Sequence, residues 1–307
     1  MCGRTACALE PTEIQQKCKY RNKQGKDEEP EWKLNTDRYR AGHNIAPTSY
    51  CPVLISSDHL ESKENHAERS LACMRWGLVP NWLSSSHNGQ FTMNNARSDT
   101  MLEKKSYKTP LKKGQRCVVL AEGFYEWKTG KGGKKQPYFI HLPKEEEEKS
   151  ERPLLAMAGI FEKAFVDEKD LYSFSVITVD SHENFSCIHH RMPAVLDSDE
   201  EIKSWLDYKN VSLDEAIKLI KSKPCLTWYP VDKYVSNSRN QGSQCREQIS
   251  LEQVEKSQQK KLSASANNMM SWLSSKPVKS PLSQNITPKK RKPTENIEKF
   301  FIKKSKE

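Results

Sequence analysis

Short runs of apolar and aromatic residues, separated by turn-forming residues, recur through the first 240 positions of the chain. Each run is too short for a typical helix and is rich in β-branched or aromatic residues, a pattern that predicts strands. The runs are CPVLI at 51, CMRWGLV at 73, CVVLAEGFYEW at 117, PYFIHL at 137, LLAMAGIF at 154 and YSFSVITV at 172. We therefore predict a mostly antiparallel, barrel-like β-sheet.

Fewer segments have the 3.6-residue periodicity of a helix. One begins at Thr12. A second begins at Asp199 and carries Trp205 on its apolar face. A third follows a capping box formed by Ser212 and Glu215. With these few helices at the periphery of the sheet, the predicted fold class is α+β.

Hydrophobic periodicity stops near residue 240, and Ser, Gln, Lys and Pro dominate the rest of the chain. We predict a folded domain over residues 2–240 and a disordered tail over residues 241–307. The tail holds 14 Lys and Arg against 6 Asp and Glu, whereas the preceding residues hold 36 against 34. Most of the net charge of +10 therefore lies in the tail. A nucleic-acid surface on the domain must be a local cluster of cations.

The tail contains a compact basic cluster, PKKRKP, at residues 288–293. Four cations between prolines are typical of a nuclear import signal, which predicts a nuclear protein, and the alternative is a solubilising basic tail. The cations are Lys289, Lys290, Arg291 and Lys292.

An apolar motif follows the basic cluster in an otherwise polar segment. Ile297, Phe300 and Phe301 have a spacing that calls for a pocket on a partner. The motif resembles the box by which replication proteins dock on the sliding clamp PCNA, although Thr294 stands where that box usually has glutamine. PCNA is therefore the predicted protein partner.

Composition excludes several classes of protein. No stretch approaches 18 consecutive apolar residues and no secretory signal follows the start, so we predict an intracellular protein without a membrane span. The nine cysteines are scattered without a C-x-x-C pair, which argues against a disulfide framework and a zinc site. We expect most thiols in a reduced core, no metal and no cofactor. Without a heptad seam, a monomer is expected.

Three stretches of the domain carry more polar and aromatic groups than a sheet needs: NNARSDT at 94, EGFYEW at 122 and CIHHRMP at 187. Each residue alone has a structural explanation. Asn95 would cap a turn, Arg97 would form a surface ion pair, Glu126 would face outward from a strand, and His189 would be a hydrogen-bonded histidine. A cysteine at position 2 is the further candidate, because loss of Met1 would make it the N-terminal residue.

Taken together, these motifs resemble the SOS-response-associated peptidase (SRAP) family over residues 2–240. The matching motifs, in order, are MCGR at 1, APT at 46, MRWGLVPNW at 74, NARSDT at 95, GFYEW at 123 and IHHRMP at 188. The resemblance implies the SRAP fold and an enzyme that senses abasic sites in single-stranded DNA. It also implies a covalent DNA–protein cross-link through Cys2 and self-removal of Met1.

The chemistry of an N-terminal cysteine is consistent with that activity. An abasic site exists partly as a ring-opened aldehyde, and a terminal amine with a pKa of about 7.7–8.0 is partly a neutral nucleophile at neutral pH. The amine forms a Schiff base, and the thiol of the same residue then closes a five-membered thiazolidine. Because both nucleophiles belong to Cys2, the second step has a high effective molarity.

The resemblance also implies roles for individual residues. Asn95 would orient the α-amine, Glu126 would shuttle protons as a general acid and base, and His189 would relay protons for ring opening or reversal. Arginines would grip flanking phosphates, and an apolar wedge would contact the neighbouring bases. The predicted DNA contacts are Arg4, Arg97, Arg75 and Arg191 for phosphates, and Trp76 and Pro47 for the wedge.

Three other functions are compatible with parts of the sequence. A cysteine peptidase would use the Cys2 thiol with His189 or Glu126 as the base. A non-covalent reader of modified bases would use the cations and aromatic residues for binding alone and would tolerate Cys2→Ala. An adaptor would use the domain only to support the tail, which leaves the clustered polar motifs unexplained.

Overall fold

A computed structural model of the protein describes residues 2–60, 68–83, 93–144 and 153–252. The strands in this part of the chain are β1 (Thr5–Cys7), β2 (Tyr20–Arg21), β3 (Asp27–Glu28), β4 (Trp32–Leu34), β5 (Gly42–Ile45), β6 (Tyr50–Ser56), β7 (Arg69–Trp76), β8 (Asn95–Arg97), β9 (Arg116–Ala121), β10 (Gly123–Thr129), β11 (Lys135–His141), β12 (Leu155–Val166), β13 (Lys169–Asp180), β14 (Arg191–Pro193) and β15 (Thr227–Pro230). The α-helices are α1 (Pro11–Lys17), α2 (Lys105–Lys112), α3 (Asp199–Leu206) and α4 (Leu213–Ile217).

Five of these strands close into a barrel. The larger sheet runs in the order β14-β13-β12-β9-β6-β7-β4, and a parallel pairing of β13 with β7 joins its two sides. The second sheet, in the order β15-β11-β10-β1-β5, is antiparallel throughout. The predicted class, a mostly antiparallel, barrel-like sheet with few helices, is confirmed.

The longest predicted strand, CVVLAEGFYEW, is two strands in two sheets. β9 belongs to the barrel and ends at Ala121, and β10 begins at Gly123 in the second sheet. Glu122 lies at the crossing, where its carboxylate accepts a hydrogen bond from the Ala8 backbone N–H at 2.6 Å. A Cβ atom on Gly123 would lie 2.4 Å from the Ile140 carbonyl oxygen, so only glycine fits here. This crossing carries the GFYEW motif out of the barrel towards β1.

The three predicted helices are present as α1, α3 and α4, and the capping box of Ser212 and Glu215 forms as expected. The sequence did not predict α2. This helix contains Pro110 and no residue caps its N-terminus through a side chain, so it lacks the usual start signal. Its stability comes from packing, because Tyr107 and Leu111 are buried.

The packed chain continues beyond the predicted boundary at residue 240. Val231 forms a β-bridge with Gln248, and Cys245 is fully buried. Arg246 also forms an ion pair with Glu122 at 2.7 Å. The residues up to 252 therefore belong to the folded unit, which makes the predicted limit too early. The import and clamp-docking motifs lie outside the described residues.

All nine cysteines lie in the described part of the chain and are free thiols, and all but Cys187 and Cys225 are buried. The prediction that most of the thiols lie in the core is confirmed. Within the described ranges, no helix is long and apolar enough to cross a membrane.

Candidate active site

Cys2 is buried beside the start of β1. Thr5 pairs with Phe124 of β10 on one side and with Ile45 of β5 on the other, so the chain enters the middle of the second sheet. Only 1% of the Cys2 surface is exposed. Burial, and then the negative charge of Glu126, raise the pKa of the Cys2 thiol well above its ordinary value. The thiol is therefore protonated at neutral pH and needs a base before it reacts.

Glu126 lies on β10, two residues past the partner of Thr5. Its side chain is 5% exposed. The adjacent Tyr125 donates its backbone N–H to the Arg4 carbonyl oxygen at 2.9 Å, which fixes β10 against the N-terminal segment. The Glu126 carboxylate acts electrostatically on both Cys2 and His189. The Glu126 charge therefore raises the pKa of the Cys2 thiol and opposes the lowering of the His189 pKa.

His189 lies on the loop that leads into β14 and is half-buried. Its Nδ1 lies 3.0 Å from the backbone nitrogen of Arg191 and 3.1 Å from its carbonyl oxygen, and these contacts orient the ring. Burial lowers the pKa of His189, and the Glu126 charge opposes that shift. The ring also stacks on His190 with 4.4 Å between centroids. A neutral imidazole at this position can accept a proton at neutral pH.

Asn95 holds Cys2 by its backbone. The Asn95 Nδ2 donates to the Cys2 carbonyl oxygen at 2.8 Å, whereas the sequence predicted a contact with the α-amine. Its Oδ1 is buried and has no hydrogen-bond partner among the described residues. A buried acceptor beside Cys2 that lacks a hydrogen-bond partner is suited to receive an N–H. The structure thus brings Cys2, Asn95, Glu126 and His189 together.

A model of the SOS response associated peptidase (SRAP) family matches residues 1–238. The chain belongs to the SRAP family. A relative from Gallus gallus, named abasic site processing protein HMCES, is 45% identical over 96% of this chain and 88% of its own. A Bacillus subtilis relative, named abasic site processing protein YoaM, is 31% identical over 67% of this chain and 84% of its own.

A crystal structure from Bacteroides thetaiotaomicron has the same fold. It superposes with a TM-score of 0.63 and 23% identity, and covers 81% of this chain and 100% of that chain. The fold of the present chain is thus that of a solved bacterial structure. Within its described residues, no group of three or more His, Cys, Asp or Glu side chains is arranged to hold a metal ion.

Arg4 in this SRAP domain is clamped. Its Nη1 donates to the Asn44 Oδ1 at 2.7 Å and to the Val235 carbonyl oxygen at 3.1 Å, and its guanidinium lies 5.8 Å from the Trp127 ring centre. These contacts compete with the predicted phosphate contact. Because Arg4 is two residues from Cys2, the clamp also fixes the segment that carries the thiol.

Asn44, which the sequence analysis missed, organises this clamp. It is fully buried, and its Nδ2 donates to three backbone carbonyl oxygens between residues 235 and 240, at 2.9 to 3.1 Å. Its Oδ1 accepts from Arg4. A buried amide with every hydrogen bond satisfied specifies one arrangement of the segments that it joins. The available signal was a polar residue between Gly42 and Ile45 in a strand that is otherwise mostly apolar.

The other predicted phosphate contacts differ in accessibility. Arg97 is exposed and is paired with Asp99 at 2.5 Å. Arg75 is half-buried and donates to the Gly77 carbonyl oxygen at 3.0 Å. Arg191 is only 1% exposed and forms an ion pair with Asp180 at 2.5 Å. A buried, paired guanidinium cannot reach a phosphate, so the role predicted for Arg191 is wrong and its role is structural.

The predicted apolar wedge needs a similar correction. Trp76 is fully buried, stacks on Phe174 and donates its indole N–H to the Asn94 carbonyl oxygen at 3.0 Å. It is therefore a core residue and cannot stack on a base. Trp82, in the same MRWGLVPNW motif, is 53% exposed and is the available indole. Pro47 is half-buried in a tight turn and remains accessible.

Proposed function

We propose that the protein captures abasic sites in single-stranded DNA by forming a thiazolidine cross-link through Cys2 after Met1 is removed. The observation that carries this proposal is the burial of Cys2 among Asn95, Glu126 and His189. A cysteine that served only to pack the core would not need a general acid and a general base nearby. It would also not need the buried Asn95 Oδ1, an acceptor without a hydrogen-bond partner among the described residues, beside its backbone. The names of the relatives, abasic site processing proteins, support the same substrate.

The cross-link forms in two steps. The α-amine of Cys2 attacks the aldehyde carbon, and the carbinolamine loses its hydroxyl as water with a proton from Glu126 or His189. The Cys2 sulfur then adds to the imine carbon, and the Glu126 carboxylate accepts the thiol proton. The net reaction joins protein and DNA and releases one water. Asn95 Oδ1 accepts an N–H of the amine and aims its lone pair at the aldehyde.

The burial of Cys2 favours a single-stranded substrate. A deoxyribose within a duplex must be extruded to reach a residue that is 1% exposed. The accessible groups around the site, Arg97, Arg75 and Pro47, would hold the flanking nucleotides. Single strands or strand–duplex junctions therefore meet the geometric requirement at lower energetic cost than intact duplex.

Trp82 supplies the stacking surface in this proposal. We expect Trp82→Ala to weaken binding of undamaged single-stranded DNA by about 1–3 kcal/mol, the value of one base–aromatic stack. Fluorescence anisotropy with a labelled oligothymidylate measures this loss. Phe165→Ala is the matched control, because Phe165 is also an exposed aromatic residue and lies at the β12–β13 hairpin, outside the MRWGLVPNW motif. Equal effects of the two substitutions would contradict the role of Trp82.

Intact-mass analysis tests the proposed function directly. The purified full chain should have lost Met1, and incubation with single-stranded DNA carrying one abasic site should add the mass of the DNA minus one water. The adduct should resist heating. If protein that begins at Cys2 forms no such adduct, the proposal is wrong.

We also propose that the tail directs the domain to replicating DNA. The basic cluster around Lys289 would mediate nuclear import, and Phe300 and Phe301 would dock on the clamp PCNA. Single-stranded DNA is exposed at replication forks, so a clamp contact would bring the cleft to its substrate.

We propose that the residues around Cys2 also release Met1.

A further inference from the structure

A basic groove lies on the outer side of β5, the edge strand of the second sheet. We call it the Arg38–Arg40 groove. Its volume is about 380 Å³, within the about 300–1,000 Å³ range of ligand-binding clefts. The residues that line it include Arg38, Arg40, Ile45, Ser49, Tyr50 and Gln241. None of the described residues that line it carries a carboxylate, so the lining itself is positively charged.

Both guanidinium groups are held in place by neutral partners. Arg38 donates to the Tyr50 hydroxyl, and its guanidinium lies over the Tyr50 ring at 5.0 Å from the ring centre. Arg40 donates to the carbonyl oxygens of Asp37 and Tyr39, each at 2.6 Å. Neither arginine forms an ion pair with a described carboxylate. Their positive charges are therefore both ordered and free to bind an external anion.

Other arginines of the same domain differ from Arg38 and Arg40, because they form ion pairs with carboxylates. Arg97, Arg191 and Arg246 each lie within 2.7 Å of a carboxylate oxygen. A carboxylate at that distance weakens the attraction of the guanidinium for a phosphate. Arg38 and Arg40 are both exposed, so an incoming anion does not have to displace an internal partner.

The groove adjoins the Cys2 site through the chain itself. Because Thr5 pairs with Ile45 in an antiparallel ladder, the residues before Thr5 lie beside the residues that follow Ile45. The following turn contains Pro47 and ends at Ser49, which lines the groove. The Thr48 backbone N–H donates to the Trp76 carbonyl oxygen, and the Trp76 backbone N–H donates to the Ser49 carbonyl oxygen. These two hydrogen bonds fix the turn to the barrel. A strand that enters the Cys2 cleft past Pro47 therefore meets the groove next.

We propose that the Arg38–Arg40 groove binds backbone phosphates of the single strand that flanks the abasic site. This inference rests on the proposed function. Two ordered guanidinium groups that form no ion pair with a described carboxylate can contact successive phosphates, and the Tyr50 ring beneath Arg38 offers an apolar surface to a sugar or base. The groove extends the DNA-binding site beyond the lesion. It therefore contributes binding affinity that does not depend on the aldehyde.

The salt dependence of DNA binding tests this proposal. For single-stranded DNA, each neutralised phosphate contributes about 0.7 to the slope of log K against log salt. We expect the full-length double variant R38A/R40A to lower that slope by about 1.4, measured by anisotropy with undamaged oligothymidylate. The variant R38K/R40K keeps both charges and should retain most of the slope. The control K218A/K221A removes two exposed cations that do not line the groove.

The outcomes separate this proposal from the cross-linking function. A slope that falls for R38A/R40A and stays constant for K218A/K221A supports the groove. An unchanged slope for R38A/R40A, or an equal fall in both double variants, overturns it. If the wild-type chain binds DNA with the expected slope and forms no adduct, the proposed function fails and the groove stands.

Discussion

Replacing Cys2 with alanine is expected to abolish the heat-stable adduct while leaving a weaker one. Alanine at the N-terminus keeps the α-amine, so a Schiff base with the abasic aldehyde can still form. Without the sulfur, the ring cannot close and the imine remains open to hydrolysis and to strand cleavage by elimination. The stable product should fall by at least about 100-fold, because the second nucleophile otherwise reacts at a high effective molarity. Gel electrophoresis before and after heating measures both species.

Two controls make the Cys2 result specific. Borohydride reduction should trap the adduct of Cys2→Ala, which shows that the variant is folded and binds the lesion. An extension fused ahead of Cys2 should remove both adducts, since it eliminates the free amine while retaining the thiol. The proposal would be contradicted by a Cys2→Ala protein that forms the same heat-stable product as the wild-type chain. A thermal melt accompanies each variant, because the Cys2 side chain is buried.

The sequence predicted which residues meet at the site better than it predicted which side chains are accessible. Cys2, Glu126 and His189 could be identified from the reactivity of their side chains, and the motifs around them mark their positions. Whether Trp76 or Trp82 faces solvent depends on how β7 packs against the barrel. Both residues lie in one motif, and a run of alternating residues cannot show that Trp76 is covered by Phe174. The same reason explains the mistaken role of Arg191, whose partner is Asp180 on a neighbouring strand.

Long-range contacts were also beyond the sequence. Arg4 and Asn44 meet Val235, which lies 231 and 191 positions away along the chain. No local pattern indicates that a segment near residue 240 closes over β5, and its low hydrophobicity suggested that the domain ended there. The strands of the barrel were predictable, because their apolar runs are short, rich in β-branched or aromatic residues and bounded by turns. Their pairing order, including the parallel contact of β13 with β7, follows only from the closed structure.

Replacing Glu126 with glutamine is expected to slow cross-linking about 100- to 1,000-fold, in the range for loss of a general acid or base. Glutamine keeps the size of the side chain and its fit against β11, and removes the proton-transfer function. Rates of adduct formation at saturating abasic DNA measure the loss. A variant that only weakened DNA binding would recover its rate at saturation, so this condition isolates the chemical step.

The thiol of Cys2 provides a second signature of the Glu126→Gln variant. The Glu126 charge helps to raise the pKa of that thiol, so its removal should lower the pKa and make the thiolate more abundant at a given pH. The pH dependence of Cys2 alkylation, read from the mass of the N-terminal peptide, should shift towards lower pH. If Glu126 acted only by suppressing the thiolate, the variant would cross-link faster than the wild-type protein. If Glu126→Gln lowers the pKa of the Cys2 thiol and still cross-links more slowly than the wild-type protein, Glu126 acts in proton transfer. Faster cross-linking by the variant would contradict that role.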